Sequence, residues 1–484
     1  MTEHAPERLT ALDAAFLRIE RDGLPVHIGS VGTFEAAPLL DERGELRLDE
    51  LRAQVSSRLD GLPRLRRRIV QPALGLGRPC WVDDPAFDVA NHLDSVELPS
   101  GDLDDLRHHA EELTAQRLPE DRPLWHLRFV TGLRAGRVGL IQRVHHALVD
   151  GVSGVDVATV LLDLTPDAEP LRPSTWAPAP APSPSELAAT GLLEHATTPL
   201  RTVRALTDAA RHPVRWAGRM VEVAEAIGTL AADGPVAPRS SLNRSIGGGR
   251  ALTWISTPLD EVKQAGRAHG ATANDVVLTA VAEGLRALEL DRGAAITGDH
   301  VLKVLVPVSL RATDQRGTLG NRVGALVLRL PIGIADAIER LHAVARATER
   351  LKARREGPTA QRLLATADRL PAALVGPVAR LTDHQRVVNV IVTNVPGPAA
   401  PLYCRGARML EAFPIVPLGG NLALSVAILS YDGALTLGIT TDPELVPDVD
   451  VVRQGIEAGF RALGATRPGA RRRPRAAGRA VRTA

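Results

Sequence analysis

The stretch 137–144 alternates in the manner of a strand with two different faces. One face carries valine, leucine and glutamine, and the other carries glycine, isoleucine and arginine. Over 152–164 the apolar residues recur every three or four positions, which is the period of a helix. The pattern therefore predicts a strand, a turn and a helix in succession, with residues 145–151 at the junction.

Strands and helices alternate along most of the chain, on both sides of a proline-rich segment. The first side is predicted to contain strands at 26–34 and from 123, and helices at 9–17, 49–59 and 103–116. The second side is predicted to contain strands at 251–257, 301–310, 323–330, 387–393, 422–430 and 434–440. Its predicted helices are at 259–269, at 335–355 and at 361–381, with one more that follows residues 271–275 and ends at 288. This alternation indicates a layered α/β fold. The arginine-rich run 64–70 is predicted to be an exposed strand edge.

The length of 484 residues exceeds what one hydrophobic core usually organises, so two domains are expected. We predict an N-terminal domain over 1–165 and a C-terminal domain over 250–465. The segment 166–249 is predicted to be a proline-rich linker with connecting helices, because its proline repeats favour extended chain. The last stretch, 466–484, is rich in arginine, proline and glycine and is predicted to be disordered.

Composition adds limits on the compartment and the partners. A hydrophobic fraction of 44% and a charged fraction of 24% are typical of a soluble globular protein. The two cysteines form no framework, which favours a reducing compartment. No signal peptide or membrane-spanning run is visible. The seven arginines of the tail are either a solvated extension or a contact for anionic lipid. Nucleic-acid binding is not expected, because no aromatic residues are interleaved with them.

Two features at turns carry candidate chemistry. Gly247, Gly248 and Gly249 form a triple glycine without the lysine and hydroxyl of a phosphate loop, so we discount phosphate binding there. At the junction after the first strand stand His145 and His146. No metal is expected there, because neighbouring strand residues point to opposite faces and no third ligand lies at a familiar spacing. From the local pattern alone, a buried structural pair and a catalytic pair both stay open.

The wider sequence resembles a known family. His145-His146, followed by Asp150-Gly151, fits the HHxxxDG motif of CoA-dependent acyltransferases, which by itself identifies only a superfamily. Further stretches, in order from about residue 8 to 463, resemble the bacterial wax ester synthase/diacylglycerol acyltransferase family. They are Leu12-Asp13-Ala14-Ala15-Phe16-Leu17, Arg122-Pro123-Leu124-Trp125, Ala273-Asn274-Asp275-Val276, Pro307-Val308-Ser309-Leu310-Arg311, Gly320-Asn321-Arg322-Val323-Gly324, Asn394-Val395-Pro396-Gly397-Pro398 and Gly420-Asn421-Leu422.

The resemblance implies two chloramphenicol-acetyltransferase-like domains with the active-site channel between them. It implies acyl-CoA as co-substrate, no other cofactor, and diacylglycerol or a long-chain alcohol as acceptor. His146 is then the general base, with His145, Asp150 and Gly151 as supporting residues. A histidine suits this role because its pKa lies near neutral pH. No Gly-x-Ser-x-Gly elbow supports a serine nucleophile.

The resemblance also points to Asn274 and Asp275 as residues that shape the site from the second domain. Helix capping explains the same pair equally well, since Thr272 or Asn274 can cap the helix that follows. Thr393 stands where the family usually has serine, and the hydroxyl is kept.

Two alternatives belong to other classes of function. One is a catalytically silent lipid-binding or membrane-interaction protein on the same fold. The other is a condensation-type enzyme that takes acyl groups from a carrier protein. For the acyltransferase, the expected location is cytoplasmic, peripherally bound to the inner face of the plasma membrane or to lipid bodies.

Overall fold

The N-terminal half is a layered α/β unit. The computed structural model describes residues 7–21, 23–73, 79–98, 101–148, 162–168, 176–189, 236–309, 323–355 and 384–465. In this half the strands are β1 (Glu7–Arg8), β2 (His27–Glu35), β3 (Arg67–Val70), β4 (Cys80–Asp83), β5 (Leu93–Glu97), β6 (Trp125–Leu133) and β7 (Arg137–His145). The helices are α1 (Ala11–Ile19), α2 (Leu48–Arg58) and α3 (Leu103–Thr114).

The C-terminal half repeats the same kind of layering. Its strands are β8 (Ala251–Pro258), β9 (Leu302–Ser309), β10 (Val323–Leu330), β11 (Val390–Pro396), β12 (Tyr403–Cys404), β13 (Ala407–Ile415), β14 (Leu424–Tyr431) and β15 (Ala434–Thr441). Its helices are α4 (Leu259–Ala268), α5 (Ala273–Asp291), α6 (Ala337–Arg355) and α7 (Val449–Ala462). These elements confirm the predicted α/β class. The predicted elements that the structure describes have boundaries within a few residues of those expected, whereas β12, β13 and α7 are additional elements that the pattern does not predict.

Two six-stranded sheets form the frame of the molecule. The C-terminal sheet has the order β10-β9-β11-β14-β15-β8. The N-terminal sheet has the order β12-β13-β2-β7-β6-β5, so two strands from late in the chain complete it. The sequence assigns these strands to the C-terminal domain, whereas β13 pairs antiparallel with β2 in the other half. The two halves are therefore joined by a shared sheet as well as by the connecting segment.

Helix α3 and the edge strand β8 also join the halves. Arg107 donates to the carbonyl of Leu252, and the Leu252 amide donates to the Glu111 carboxylate at 2.7 Å. Leu106 packs in one apolar cluster with Leu252 and with Ile415 of β13. The helix thus covers a sheet edge whose amides and carbonyls would otherwise be unsatisfied.

Local sequence signals account for several boundaries. Thr10 caps α1 by accepting the Asp13 amide, since a threonine hydroxyl at a helix start can bond one of the amides that lack an intrahelical partner. Asp432 and Gly433 both have positive φ and form the tight turn between β14 and β15. The run 64–70 does end in an edge strand, β3, as expected. The expected exposure is wrong, because Arg66 is buried between Asp60 and the ring of Trp176.

Several predicted elements lie outside the described residues. They are the helix after the histidine motif, most of the connecting segment, the helices predicted over 361–381 and the arginine tail. None of the helices within the described residues combines the length and the apolar content that crossing a bilayer requires.

Candidate active site

The two histidines lie in a turn at the end of β7, and backbone hydrogen bonds to two different segments hold them there. The His145 amide donates to the carbonyl of Leu124, and the His146 amide donates to the carbonyl of Val26, each at 2.9 Å. The Leu148 amide closes the turn on the His145 carbonyl, also at 2.9 Å. Leu124 belongs to the Pro123-Leu124-Trp125 stretch, so that motif fixes the start of this histidine turn.

His145 is a fully buried residue with 0% exposure. Its Nδ1 accepts the amide of Ala147 at 3.0 Å, so Nδ1 carries no proton and the neutral ring holds its proton on Nε2. Burial lowers the pKa of His145 to about 3, so the ring is neutral at physiological pH. This side chain ties its own turn together, and its complete burial keeps it from direct contact with a substrate in the structure as described.

His146 is only partly buried, and its ring lies against α1. The phenyl ring of Phe16 stacks on the imidazole, with ring centroids 4.1 Å apart and planes at 29°. The Nδ1 atom of His146 is buried. Phe16 therefore holds the imidazole ring in place, and His146 still has part of its surface exposed.

A buried acid and a third histidine complete the cluster. Glu20 ends α1, and its Oε1 lies 3.1 Å from His27 Nε2 and 3.6 Å from His145 Nε2. His27 stands directly opposite His145 in the β2–β7 register. Burial by itself raises the pKa of Glu20, but the two imidazoles and the Val26 amide bring it down to about 2, so Glu20 is ionised.

Two arginines lie near the end of α3, and one of them faces this carboxylate. Arg117 Nε lies 3.5 Å from Glu20 Oε2. Arg143, on β7, donates to the carbonyls of Leu113 and Gln116 at the end of α3, where the intrahelical bonds run out. Burial lowers the pKa of Arg143 to about 10, so it remains a cation at neutral pH. The histidine turn thus packs against the buried Glu20 carboxylate, with the cation of Arg117 beside that carboxylate.

The sequence interpretation missed Glu20, His27 and Arg117 as parts of this site. They stand far from the histidine motif in the chain, and only strand pairing brings them to it. The sequence did contain one signal. His27 and Val31 are four residues apart and therefore lie on the same face of β2, and Val31 is a core residue. A histidine at an inward position of a strand is a candidate for such a cluster.

The second-domain candidates serve two different purposes. Asp275 is 3% exposed and accepts hydrogen bonds from the Thr272 amide and hydroxyl and from the Thr348 hydroxyl, at 2.6–2.8 Å. It completes the capping box of α5. Asn274 instead accepts a hydrogen bond from Asn394 at 3.1 Å, which connects the start of α5 to β11. Asp275 thus caps its own helix and ties it to α6 through Thr348, whereas Asn274 makes neither contact.

Two of the predicted supporting residues, Asp150 and Gly151, lie outside the described residues. Within the ranges that the structure does describe, no group of three His, Cys, Asp or Glu side chains is arranged to hold a metal ion. The triple glycine lies at a contact between the halves: a Cβ added at Gly23 would lie 3.3 Å from the Cα of Gly248, and Arg250, just after the glycines, donates to the carbonyl of Gly23 at 2.9 Å.

Comparisons with known proteins agree with this architecture. Residues 9–277 match the family model described as the wax ester synthase/diacylglycerol acyltransferase catalytic domain, and residues 319–464 match the C-terminal domain of the same family. A probable diacylglycerol O-acyltransferase of Mycobacterium tuberculosis is 32% identical over 456 residues, covering 93% of this chain and 94% of that protein.

Two solved structures share the fold. The wax ester synthase/diacylglycerol acyltransferase from Marinobacter aquaeolei superposes with a TM-score of 0.68 at 24% identity, covering 94% of this chain and 98% of that one. The starter condensation domain of rhizomide synthetase, in complex with C8-CoA, has a TM-score of 0.60 at 14% identity and 96% coverage of both chains.

Proposed function

Because this chain belongs to the wax ester synthase/diacylglycerol acyltransferase family, we propose that it transfers a long-chain acyl group from acyl-CoA to the free hydroxyl of diacylglycerol. The products are triacylglycerol and free CoA. Long-chain alcohols are the second class of acceptor in this proposal, with wax esters as products. Family membership over most of the chain carries the choice of reaction, and the geometry of His146 supports the choice of base.

In the proposed mechanism His146 takes the proton of the acceptor hydroxyl. Its buried Nδ1 leaves Nε2 as the nitrogen that meets the substrate. The acceptor oxygen attacks the thioester carbonyl as the proton leaves, and the carbon–sulfur bond then breaks. The CoA sulfur departs with the proton returned by the imidazolium. A positioned base of this kind contributes on the order of 10²- to 10⁴-fold in rate.

His145 is unsuited to be the base, although it stands next to His146 in the motif. It is fully buried, its Nδ1 accepts a backbone amide, and its pKa is lowered to about 3. A nitrogen that is already occupied and a ring that resists protonation cannot accept a substrate proton efficiently. The same facts give His145 a structural role beneath His146.

Diacylglycerol resides in membranes, so the proposal includes peripheral contact with a membrane or lipid-body surface. The seven arginines over 466–484 supply the cationic contact in this proposal. Flotation with vesicles containing an anionic lipid tests it, using the full chain and a chain ending at 465. The truncated chain should lose binding to anionic vesicles, and equal binding by both chains would refute a role for the tail.

Product identification tests the reaction itself. The purified chain is supplied with labelled palmitoyl-CoA and either diacylglycerol or hexadecanol. Labelled triacylglycerol, formed together with free thiol, is the expected result. Transfer only from an acyl-carrier donor would favour a condensation-type enzyme instead. No product and no thiol release with any acceptor would favour a catalytically silent lipid-binding protein.

A further inference from the structure

The Glu20 carboxylate contacts the Val26 segment, which holds the backbone of His146, and it also faces the ring of His145 in the turn itself. Its side chain is 3% exposed, although a buried acid is costly unless it is paired. Oε1 accepts the amide of Val26 at 3.1 Å and lies 3.6 Å from His145 Nε2. No substrate group is needed to explain these contacts, and the proton-transfer step does not use Glu20 directly.

The first connection runs through the backbone of Val26. The Val26 amide donates to Glu20, and the Val26 carbonyl accepts the amide of His146 at 2.9 Å. A shift of the Glu20 carboxylate therefore moves the peptide that fixes the backbone of His146. Glu20 also ends α1, the helix whose Phe16 stacks on the His146 ring.

The second connection runs through the ring of His145. Because the Ala147 amide donates to Nδ1, the neutral ring places its N–H at Nε2, on the side of the Glu20 carboxylate. A negative charge at that position favours this tautomer over the one with the proton on Nδ1. The Nδ1–H tautomer would lose the Ala147 hydrogen bond, which closes the turn immediately after His146.

We propose that Glu20 is a positioning residue for the acyl transfer. It fixes the tautomer of His145 and the peptide of Val26, and through both it holds His146 at the orientation needed for proton transfer. This inference rests on the proposed function, in which His146 is the base. It assigns Glu20 no contact with either substrate.

The charge of Glu20 is as important as its shape in this role. Arg117 Nε, 3.5 Å from Oε2, balances the charge, and His27 Nε2 faces Oε1 from β2. A glutamine could keep the hydrogen bond from Val26, but its oxygen attracts the His145 N–H less strongly than a carboxylate does. Glu20→Gln therefore separates charge from side-chain size.

The kinetic test compares Glu20→Gln and Glu20→Asp with the wild-type chain, using palmitoyl-CoA and diacylglycerol. We expect kcat of Glu20→Gln to fall by about 10- to 100-fold, the cost of a small misplacement of a catalytic group. KM for both substrates should stay within about twofold, because Glu20 does not touch them. Glu20→Asp keeps the charge and should recover part of kcat.

Glu289→Gln is the matched control. Glu289 is also a buried acid, at 7% exposure, and accepts a hydrogen bond from Ser240 in the C-terminal half. The kcat of Glu289→Gln should equal that of the wild type when both are compared at equal folded fraction. Thermal melting measures the folded fraction. Retention of kcat within about twofold in Glu20→Gln would overturn the proposal, as would an increase in KM that accounts for the whole loss.

A spectroscopic measurement on the wild-type chain keeps the proposal testable if Glu20→Gln does not fold. With the histidine rings labelled with ¹⁵N, the His145 signals are identified by their loss in His145→Gln. Protonated Nε2 and unprotonated Nδ1 at neutral pH are expected, and the opposite tautomer or a doubly protonated ring contradicts the proposal. A wild-type chain without acyl transfer refutes the proposed function, whereas an active wild type with an equally active Glu20→Gln refutes only this inference.

Discussion

Phe16 and His146 stack with ring centroids 4.1 Å apart, so helix α1 sets the position of the proposed base directly. We predict that Phe16→Ala lowers kcat by about 2- to 10-fold, because a stacked pair of this kind contributes roughly 0.5–1.5 kcal/mol. Phe16→Tyr keeps the ring and serves as the control. Steady-state kinetics at equal folded fraction is the measurement, and an unchanged kcat in Phe16→Ala would show that the stack has no role.

Gly438 allows the two halves to approach closely. A Cβ at this position of β15 would lie 1.8 Å from the carbonyl oxygen of Pro414 on β13. Gly438→Ala is predicted to lower the free energy of unfolding by about 1–3 kcal/mol or more, because the backbone must move apart. Gly298→Ala, with open space around its position, is the control. Equal midpoints of urea unfolding for the two variants would contradict the close contact.

Acid should destabilise the folded chain because His145 is buried in its neutral form. Its pKa is lowered from 6.5 to about 3, so between these values the unfolded chain binds a proton that the folded chain does not. The free energy of unfolding therefore falls as pH falls through this window, by on the order of 1 kcal/mol per pH unit for this residue. The lowered pKa of His27 acts in the same direction.

Glu20 extends this sensitivity to acid to lower pH values. Its folded pKa of about 2 lies below its ordinary 4.5, so the stability it contributes is present above that range and is lost as pH falls toward 2.

Urea unfolding from pH 7 to pH 4 measures the His145 effect, and His145→Gln should reduce the slope of unfolding free energy against pH. An identical pH slope in the variant and the wild type would contradict the burial of a neutral His145.

Alanine substitutions of Asp275 and Asn274 should affect different properties, the first mainly stability and the second mainly activity. Asp275→Ala removes a helix cap and the partner of Thr348, so the free energy of unfolding should fall by about 1–3 kcal/mol. Asn274→Ala should change it by less than about 0.5 kcal/mol and should lower kcat/KM if this residue shapes the site. Thermal melting and kinetics on both variants decide this. Equal losses of stability would assign both residues to capping.

The sequence predicted the elements well where the determining contacts are local. The strand 137–144 follows from residue type and spacing and is confirmed, and the cap at Thr10 is a similarly local contact, three residues along the chain. The pairing of β13 with β2 was not predictable in this way, because register across 378 residues, as between Thr33 and Glu411, depends on the assembled halves. Alternation identifies a strand without identifying its neighbour.

The candidate site likewise contains residues that the local sequence identifies and others that only the tertiary structure identifies. The histidine pair is recognisable from its motif, and strand alternation separates the environments of His145 and His146. Glu20 could not be assigned from the sequence, since a single acid after a short helix is typical of an exposed helix end. Its burial against His27 and His145 arises only when β2 and β7 pair. The role of Glu20 therefore depends on tertiary structure.

The most direct test of the account is the rate of thiol release from palmitoyl-CoA in the presence of diacylglycerol, measured for His146→Ala, His109→Ala and the wild type. His109 lies on α3, where its ring contacts Arg128 and Glu112 and neither member of the histidine pair, and its variant should match the wild type. The account predicts that His146→Ala loses at least about 100-fold in kcat while it melts at the wild-type temperature. A folded His146→Ala chain that releases thiol and forms triacylglycerol at the wild-type rate would contradict it.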